Sequence, residues 1–307
     1  MNKKIKDIFN YFFKDEEDFT SINEEKPWSK IKQIEIKTKK LSDELFSGSY
    51  RSPFKLTGLD FEEFKEYTFE DELRNIDWKI SAKRGSLHIK KFTEEKELNL
   101  FLVIDISPSI FFGSNENLKK EVIENISSAI AFGCIKNNIR LGAILFDTEI
   151  KKFVPLGKGK NHILNIIKSI FSSDYNSKGS TSFSKPLELI NSIIKKKSIV
   201  IMLSDFLSNS FESDLALKNE LNKLLVKHSF ISMIIKDERE FILPNVGLIE
   251  VYDPETGNIK IIDTNNQELN NKLQHKEHDI VKFFKSKNIK SILLNTSKEN
   301  NLTLIYL

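Results

Sequence analysis

The sequence predicts an α/β protein: a doubly wound, mostly parallel sheet with a smaller module before it. Residues 98–109, LNLFLVIDISPS, form a continuous apolar run that ends in Asp-x-Ser-x-Ser. An apolar run of about 4 to 8 residues bounded by polar turn residues is a strand buried on both faces. Residues 198–204 (SIVIMLS) and 230–235 repeat the pattern. Segments with helical apolar spacing lie between these runs, and that alternation is the pattern of βα units around a parallel sheet.

The elements follow in order. Residues 1–26 mix aromatics with charge (IFNYFFKDEEDF) and read as a short amphipathic helix and linker, in preference to a peripheral membrane contact. Residues 28–45 carry Ile31, Ile34, Leu41 and Leu45 at helical spacing, with Gly48 as a stop, and 47–57 are loop-like. Residues 58–92 are dense in charge but contain Phe61, Phe64, Tyr67 and Trp78, which need burial. They read as a short-stranded module closed by a hairpin, with Lys83-Arg84-Gly85-Ser86 as the turn and 87–92 as the returning strand. Beyond the first buried strand, helices are expected over 118–136, 163–171, 186–194, 212–225 and 269–284. Strands are expected over 140–146 and 151–154, around Asp147-Thr148, and near Ile292. Residues 246–252 and 259–263 flank the turn Pro254-Glu255-Thr256-Gly257. The chain therefore divides into an N-terminal segment and linker (1–26), a small module (27–96) and the sheet domain (97–307).

With 307 residues, 39% hydrophobic and 30% charged, the chain can bury a sizeable core and stay soluble. Its 47 basic and 44 acidic residues leave a net charge of +3. The lysines alternate with acids along helix faces, which argues against nucleic-acid binding. The single cysteine, Cys134, excludes an internal disulfide or a multi-cysteine zinc site, and reads as a small apolar residue on a buried helix face. No signal peptide and no window of about 20 apolar residues is present, so a cytoplasmic protein is expected, with peripheral membrane contact as the alternative. Phosphate-cradling glycine loops are absent too. His88, His162 and His228 are isolated, and His275 and His278 share a solvated helix face.

The chemistry concentrates at strand ends. Asp105, Ser107 and Ser109 present one carboxylate and two hydroxyls, hard oxygen donors suited to Mg²⁺ or Mn²⁺. Gly179-Ser180-Thr181 precedes a helix, and Ser204-Asp205 follows the second buried strand. In a parallel sheet both loops emerge at one carboxyl edge, so Thr181 and Asp205 can converge on Asp105. The alternative is that these groups cap helices and turns. Here the chain resembles the von Willebrand factor A-like domain, of Rossmann type, with its metal-ion-dependent adhesion site. That resemblance implies that Ser107 and Ser109 bind the cation directly, and Thr181, Asp105 and Asp205 directly or through water. Few carboxylates would then leave the ion seeking an acidic side chain from a partner.

The preceding module sharpens the resemblance. Gly48-Ser49-Tyr50-Arg51-Ser52, Gly58, Asp60-Phe61, Glu66-Tyr67 and Asp71-x-x-Arg74-x-Ile76-Asp77-Trp78-Lys79-x-Ser81-Ala82 are similar to the signature of the bacterial DUF58 family. Lys65 stands where that family usually has Arg, and Glu70 where it commonly has Gly. The resemblance implies an adaptor working with a MoxR-type AAA+ ATPase and other A-domain proteins, and a short, soluble member without the two transmembrane helices that many members carry. Arg74, Asp77 and Trp78 have two readings: an exposed Asp-Trp pair docks the partner, or an Arg74–Asp77 ion pair locks Trp78 against the sheet domain. The second is preferred, since a Trp normally anchors packing. The expected function is a non-enzymatic, metal-dependent interaction protein; the alternatives are a metal-dependent hydrolase, phosphatase or nuclease, and a metal-free scaffold.

Overall fold

Among the described residues seven strands make the central sheet, in the order 305–306, 290–295, 229–236, 199–204, 99–105, 140–146 and 150–157. The computed structural model describes residues 39, 42, 61–69, 71–73, 76–92, 98–111, 118–172, 181–207, 214–241, 243, 245–252, 259–296 and 305–306. The expectations for 1–26, for most of 28–45 and for 47–57 lie outside these residues.

β3 (Asn99–Asp105) is the first strand of the sheet in sequence and lies inside it, flanked by β4 (Arg140–Phe146) and β6 (Ile199–Ser204), both parallel to it. The chain winds outward through β4 to β5 (Ile150–Gly157), an antiparallel edge strand. Pro155 is tolerated there because an edge strand can spare a ladder donor. It then returns to β6 and continues through β7 (Ser229–Lys236) and β10 (Lys290–Asn295), with β11 (Ile305–Tyr306) antiparallel at the far edge. The direction of winding reverses between β3 and β6, and such a switch point leaves a crevice at the carboxyl ends of the two strands.

Alternating residues of β3 face opposite ways, and both faces are covered. Leu100, Leu102 and Ile104 pack with α2 (Lys119–Lys136) and α3 (Lys160–Phe171). Phe101 and Val103 pack with α4 (Ser184–Ile193), α5 (Leu215–Lys227) and α6 (Gln267–Ser286). That double burial is why the strand reads as an unbroken apolar run. Phe101 pairs in register with Gly142, and a Cβ there would stand 2.5 Å from the Phe101 ring. β8 (Leu248–Tyr252) and β9 (Ile259–Asp263) form the expected antiparallel pair outside the main sheet. Among the described residues no helix is long and apolar enough to cross a membrane.

The small module departs from expectation. β1 (Phe61–Glu66) pairs antiparallel with β2 (His88–Phe92), and the helix α1 (Trp78–Arg84) lies between them in sequence. Lys83-Arg84-Gly85-Ser86 is therefore the end of a helix and not a hairpin turn. Asp77 caps the helix by accepting from Lys79 N at 3.0 Å and Ile80 N at 3.1 Å. Gly85, at φ 77°, ends it in the left-handed conformation that glycine adopts without cost, and Lys83 and Arg84 sit in the last turn, where the helix dipole favours cations.

Candidate metal centre

Three carboxylates and one ammonium meet at the carboxyl edge beside the switch point. Ile104 pairs with Leu203 in the β3–β6 register, so the next residues along, Asp105 and Ser204, are neighbours. The Ser204 hydroxyl donates to Asp105 Oδ2 at 2.5 Å. Asp105 Oδ1 accepts from Ser107 N at 2.9 Å, a turn that carries the chain off the strand into a 3₁₀ helix at Pro108–Phe111. Asp105 is wholly buried, and burial together with the charge of Asp205 pushes its carboxyl up to about 7, against the bonds from Ser204 and Ser107. The Ser107 and Ser109 hydroxyl oxygens are 3.0 Å apart, and Ser109 also hydrogen-bonds Asp205.

Asp205 follows β6 directly. Its Oδ1 accepts from Leu207 N at 3.1 Å, and its Oδ2 from the Lys119 ammonium at 2.8 Å. Burial, the largest single effect, would raise this carboxyl, but the Lys119 charge and the hydrogen bonds from Lys119, Leu207 N and Ser109 together outweigh it, and the carboxyl lies below its usual range. Phe206 holds φ 54°, an unusual conformation for a bulky residue, where its N–H reaches Ser204 Oγ at 3.0 Å. Its ring is held by Phe183, stacked at 5.5 Å, and by Phe284, edge-on at 5.0 Å. Aromatic packing beneath the edge thus fixes the turn that presents Asp205.

Lys119, the first residue of α2, is wholly buried and bridges Asp205 to Glu240, on the 3₁₀ turn Glu238–Glu240 that follows β7. Burial would lower the ammonium's pKa, yet the two carboxylates raise it, so it stays charged. Glu240 is pushed up to about 7 by burial and by Asp205, with Lys119 opposing. Sequence reasoning missed Lys119 and Glu240. The one local signal was a lysine in the first turn of a helix, where the dipole disfavours a cation.

Thr181 is buried at the same edge; the adjacent Ser182 N–H donates to Asp147 O at 2.9 Å, at the tip of β4. The Asp147 carboxylate is buried, accepting from Glu149 N at 2.9 Å and facing Lys151 Nζ at 3.3 Å. Asp105, Ser107, Ser109 and Asp205 thus form one connected cluster, with Thr181 one strand away.

A divalent cation suits this donor set. The cluster's oxygens are carboxylates and hydroxyls, hard ligands of the kind Mg²⁺ and Mn²⁺ take. Asp105, Asp205 and Glu240 against Lys119 leave a net charge of −2 when all are ionised, which a doubly charged ion neutralises. Among the described residues no three His, Cys, Asp or Glu side chains form a metal-holding group of their own, so a cation held here would have to draw on the hydroxyls as well.

Asp77 is a helix cap, and Trp78 is 69% exposed, so Trp78 is not locked against the sheet domain as preferred above. Arg74 lies outside the described residues. The His162 ring covers Gly157, and its Nε2 is 2.9 Å from Leu141 O. His88 Nδ1 is 2.8 Å from Ser86 O, and His278 is exposed. Cys134 is buried, which pushes its thiol up.

Residues 63–280 match the family described as protein of unknown function DUF58. The chain belongs to the DUF58 family. The matched span runs from β1 into α6 and contains Asp77-Trp78 and the five expected metal ligands. The chain is 22% identical over 240 residues to the uncharacterized protein Rv1480 of Mycobacterium tuberculosis, covering 78% of this chain and 74% of that one. It is 26% identical over 106 residues to the uncharacterized protein YeaD of Bacillus subtilis, covering 34% and 24%. Similar solved structures include BatB from Bacteroides thetaiotaomicron, at 15% identity and TM-score 0.42 over 65% of this chain and 91% of that one. A von Willebrand factor type A protein from Catenulispora acidiphila gives 12% identity and TM-score 0.37 over 47% and 34%. The doubly wound fold of this DUF58 chain rests on its own strand order. Of the two positions at which the resemblance leads one to expect other residues, Lys65 has its ammonium 3.4 Å from Asp71, and Glu70 lies outside the described residues.

Proposed function

We propose that this protein is a non-enzymatic adaptor that captures an acidic side chain of a partner protein through a divalent cation, Mg²⁺ or Mn²⁺, held by Asp105, Ser107, Ser109, Thr181 and Asp205. The observation that carries this reading is Asp105 itself: a wholly buried carboxylate at the switch point, beside a second carboxylate and two hydroxyls. Lys119 is the counter-charge already present, and with every group ionised the cluster still carries a net charge of −2, which a divalent cation would neutralise. When bound, the ion supplies an electrophilic centre for the partner's carboxylate. Ser204 and Ser107 N hold Asp105 in place, Leu207 N and Lys119 orient Asp205, and the Phe206 turn keeps the pair at the edge. A hydroxyl-rich shell discharges the ion little and suits reversible capture better than activation of water. By family resemblance the partner is a MoxR-type AAA+ ATPase or another A-domain protein, met in the cytoplasm.

The test is binding of a purified MoxR-type ATPase to wild type in Mg²⁺, wild type in EDTA, and Asp105→Ala. Retention by metal-loaded wild type alone supports the adhesion-site mechanism. Equal retention in all three reduces the site to a metal-free scaffold, and metal-dependent hydrolysis of phosphate esters or nucleic acid by the purified protein would replace the adaptor with an enzyme.

A further inference from the structure

Lys119 is in the wrong place for ordinary helix chemistry. The first turn of a helix carries partial positive charge, and a lysine there loses the favourable dipole interaction it would have at the other end. Its ammonium is also wholly buried, and a buried charge persists only where partners repay its lost hydration. Its carboxylate partners Asp205 and Glu240 come from other elements, the tip of β6 and the turn after β7. Glu240 is itself anchored, its Oε2 accepting from Asp237 N at 3.2 Å. Asp237 is wholly buried and accepts from Thr296 Oγ1 at 2.7 Å at the tip of β10. The ammonium is therefore seated between a carboxylate of the expected metal site and a carboxylate braced by the far side of the sheet.

We propose that Lys119 is a resident cation that competes with the divalent ion for Asp205, while Glu240 is the seat that draws the ammonium away from Asp205. This deepens the metal-site reading above and rests on it. Lys119 reduces the negative charge facing an incoming cation, and Glu240 restores part of it. The two side chains are positioning residues of opposite sign, which together set how strongly the site holds its ion.

The opposite signs make the test specific. Mn²⁺ binding to the purified protein is followed by electron paramagnetic resonance of the free ion. Lys119→Met is expected to tighten Mn²⁺ binding by about tenfold or more, and Glu240→Gln to weaken it by about tenfold, since a unit charge a few ångströms away at a partly screened site is worth at least that much. Loss of packing would weaken binding in both variants alike. Lys119→Met leaves two buried carboxylates uncompensated, so Lys119→Met/Glu240→Gln is measured beside it. The pair keeps the cluster's charge at −2 and is expected to fold and to bind Mn²⁺ at least as tightly as wild type. Thermal melting of the metal-free proteins gives a second readout, with Lys119→Met lowered and the double variant partly restored. Wild-type binding with affinity unchanged in all variants, or weakened in both single ones, overturns the proposal and leaves the metal site standing. No Mn²⁺ binding by any of the four proteins overturns the metal site and the proposal together. Binding by Lys119→Met or the double variant but not by wild type supports the competition directly.

Discussion

The Ser204 hydroxyl meets Asp105 Oδ2 at 2.5 Å between the two strands at which the sheet changes its direction of winding. Both residues are wholly buried, so this bond is part of what permits a carboxylate at that depth. Ser204→Ala removes both the donor to Asp105 Oδ2 and the acceptor for Phe206 N. An unfolding free energy lower by about 1–3 kcal/mol is expected, the cost of leaving a buried acceptor unsatisfied. Urea titration of wild type and variant measures it; coincident curves would mean that Oδ2 is served equally well by another donor.

Gly142 is required by its neighbour across the β3–β4 ladder. A Cβ at that position would lie 2.5 Å from Phe101 Cε1 and 2.9 Å from Cδ1. Gly142→Ala should destabilise the protein by about 1–3 kcal/mol through overpacking. Phe101→Leu made in the same chain should recover part of that loss, and a double-mutant cycle reads the coupling. Strictly additive losses would place the strain elsewhere.

The adjacent residues Asp77 and Trp78 should separate in their effects. Asp77 accepts from two backbone N–H groups at the start of α1, and Asp77→Ala is expected to cost about 1 kcal/mol, as lost helix caps do. Trp78 is 69% exposed, and Trp78→Ala should change stability by no more than about 0.5 kcal/mol. A larger loss for Trp78→Ala in chemical denaturation would mean that the ring packs against the chain in solution.

His228 supplies an acid sensitivity. It is 4% exposed, and burial, with a smaller contribution from Lys227, holds the ring below its ordinary value of 6.5. The folded state then binds the proton less well than the unfolded state. Its contribution to stability is complete above about pH 6.5 and is lost as pH falls through the folded value. Unfolding free energy should fall more steeply below pH 6.5 in wild type than in His228→Gln, and parallel pH profiles would remove His228 from the account.

Much of this architecture was legible without coordinates. β3 and β6 announce themselves because burial on both faces demands an unbroken apolar run, and the polar residues at their ends mark the carboxyl edge. α2 was read to within a residue, since eighteen residues hold enough turns for a period to register. α1 was misread because seven residues span barely two turns, and among its side chains Ser81 is the buried one, so no apolar stripe exists to be seen. The exposure of Trp78 was misjudged for a related reason: residue type predicts an average burial, and a single exposed aromatic departs from it silently.

The amino-acid sequence by itself determined the class of fold, the strand ends that carry Asp105 and Asp205, and the hydroxyls between them, because these depend on local periodicity and residue type. Tertiary structure alone decided which charges face one another. Lys119 stands 86 residues from Asp205 and 121 from Glu240, and nothing local in the chain encodes either distance. They meet because the order of strands puts β6 between β3 and β7, with α2 starting at the same edge, and burial there excludes the water that would otherwise keep the three charges indifferent to one another.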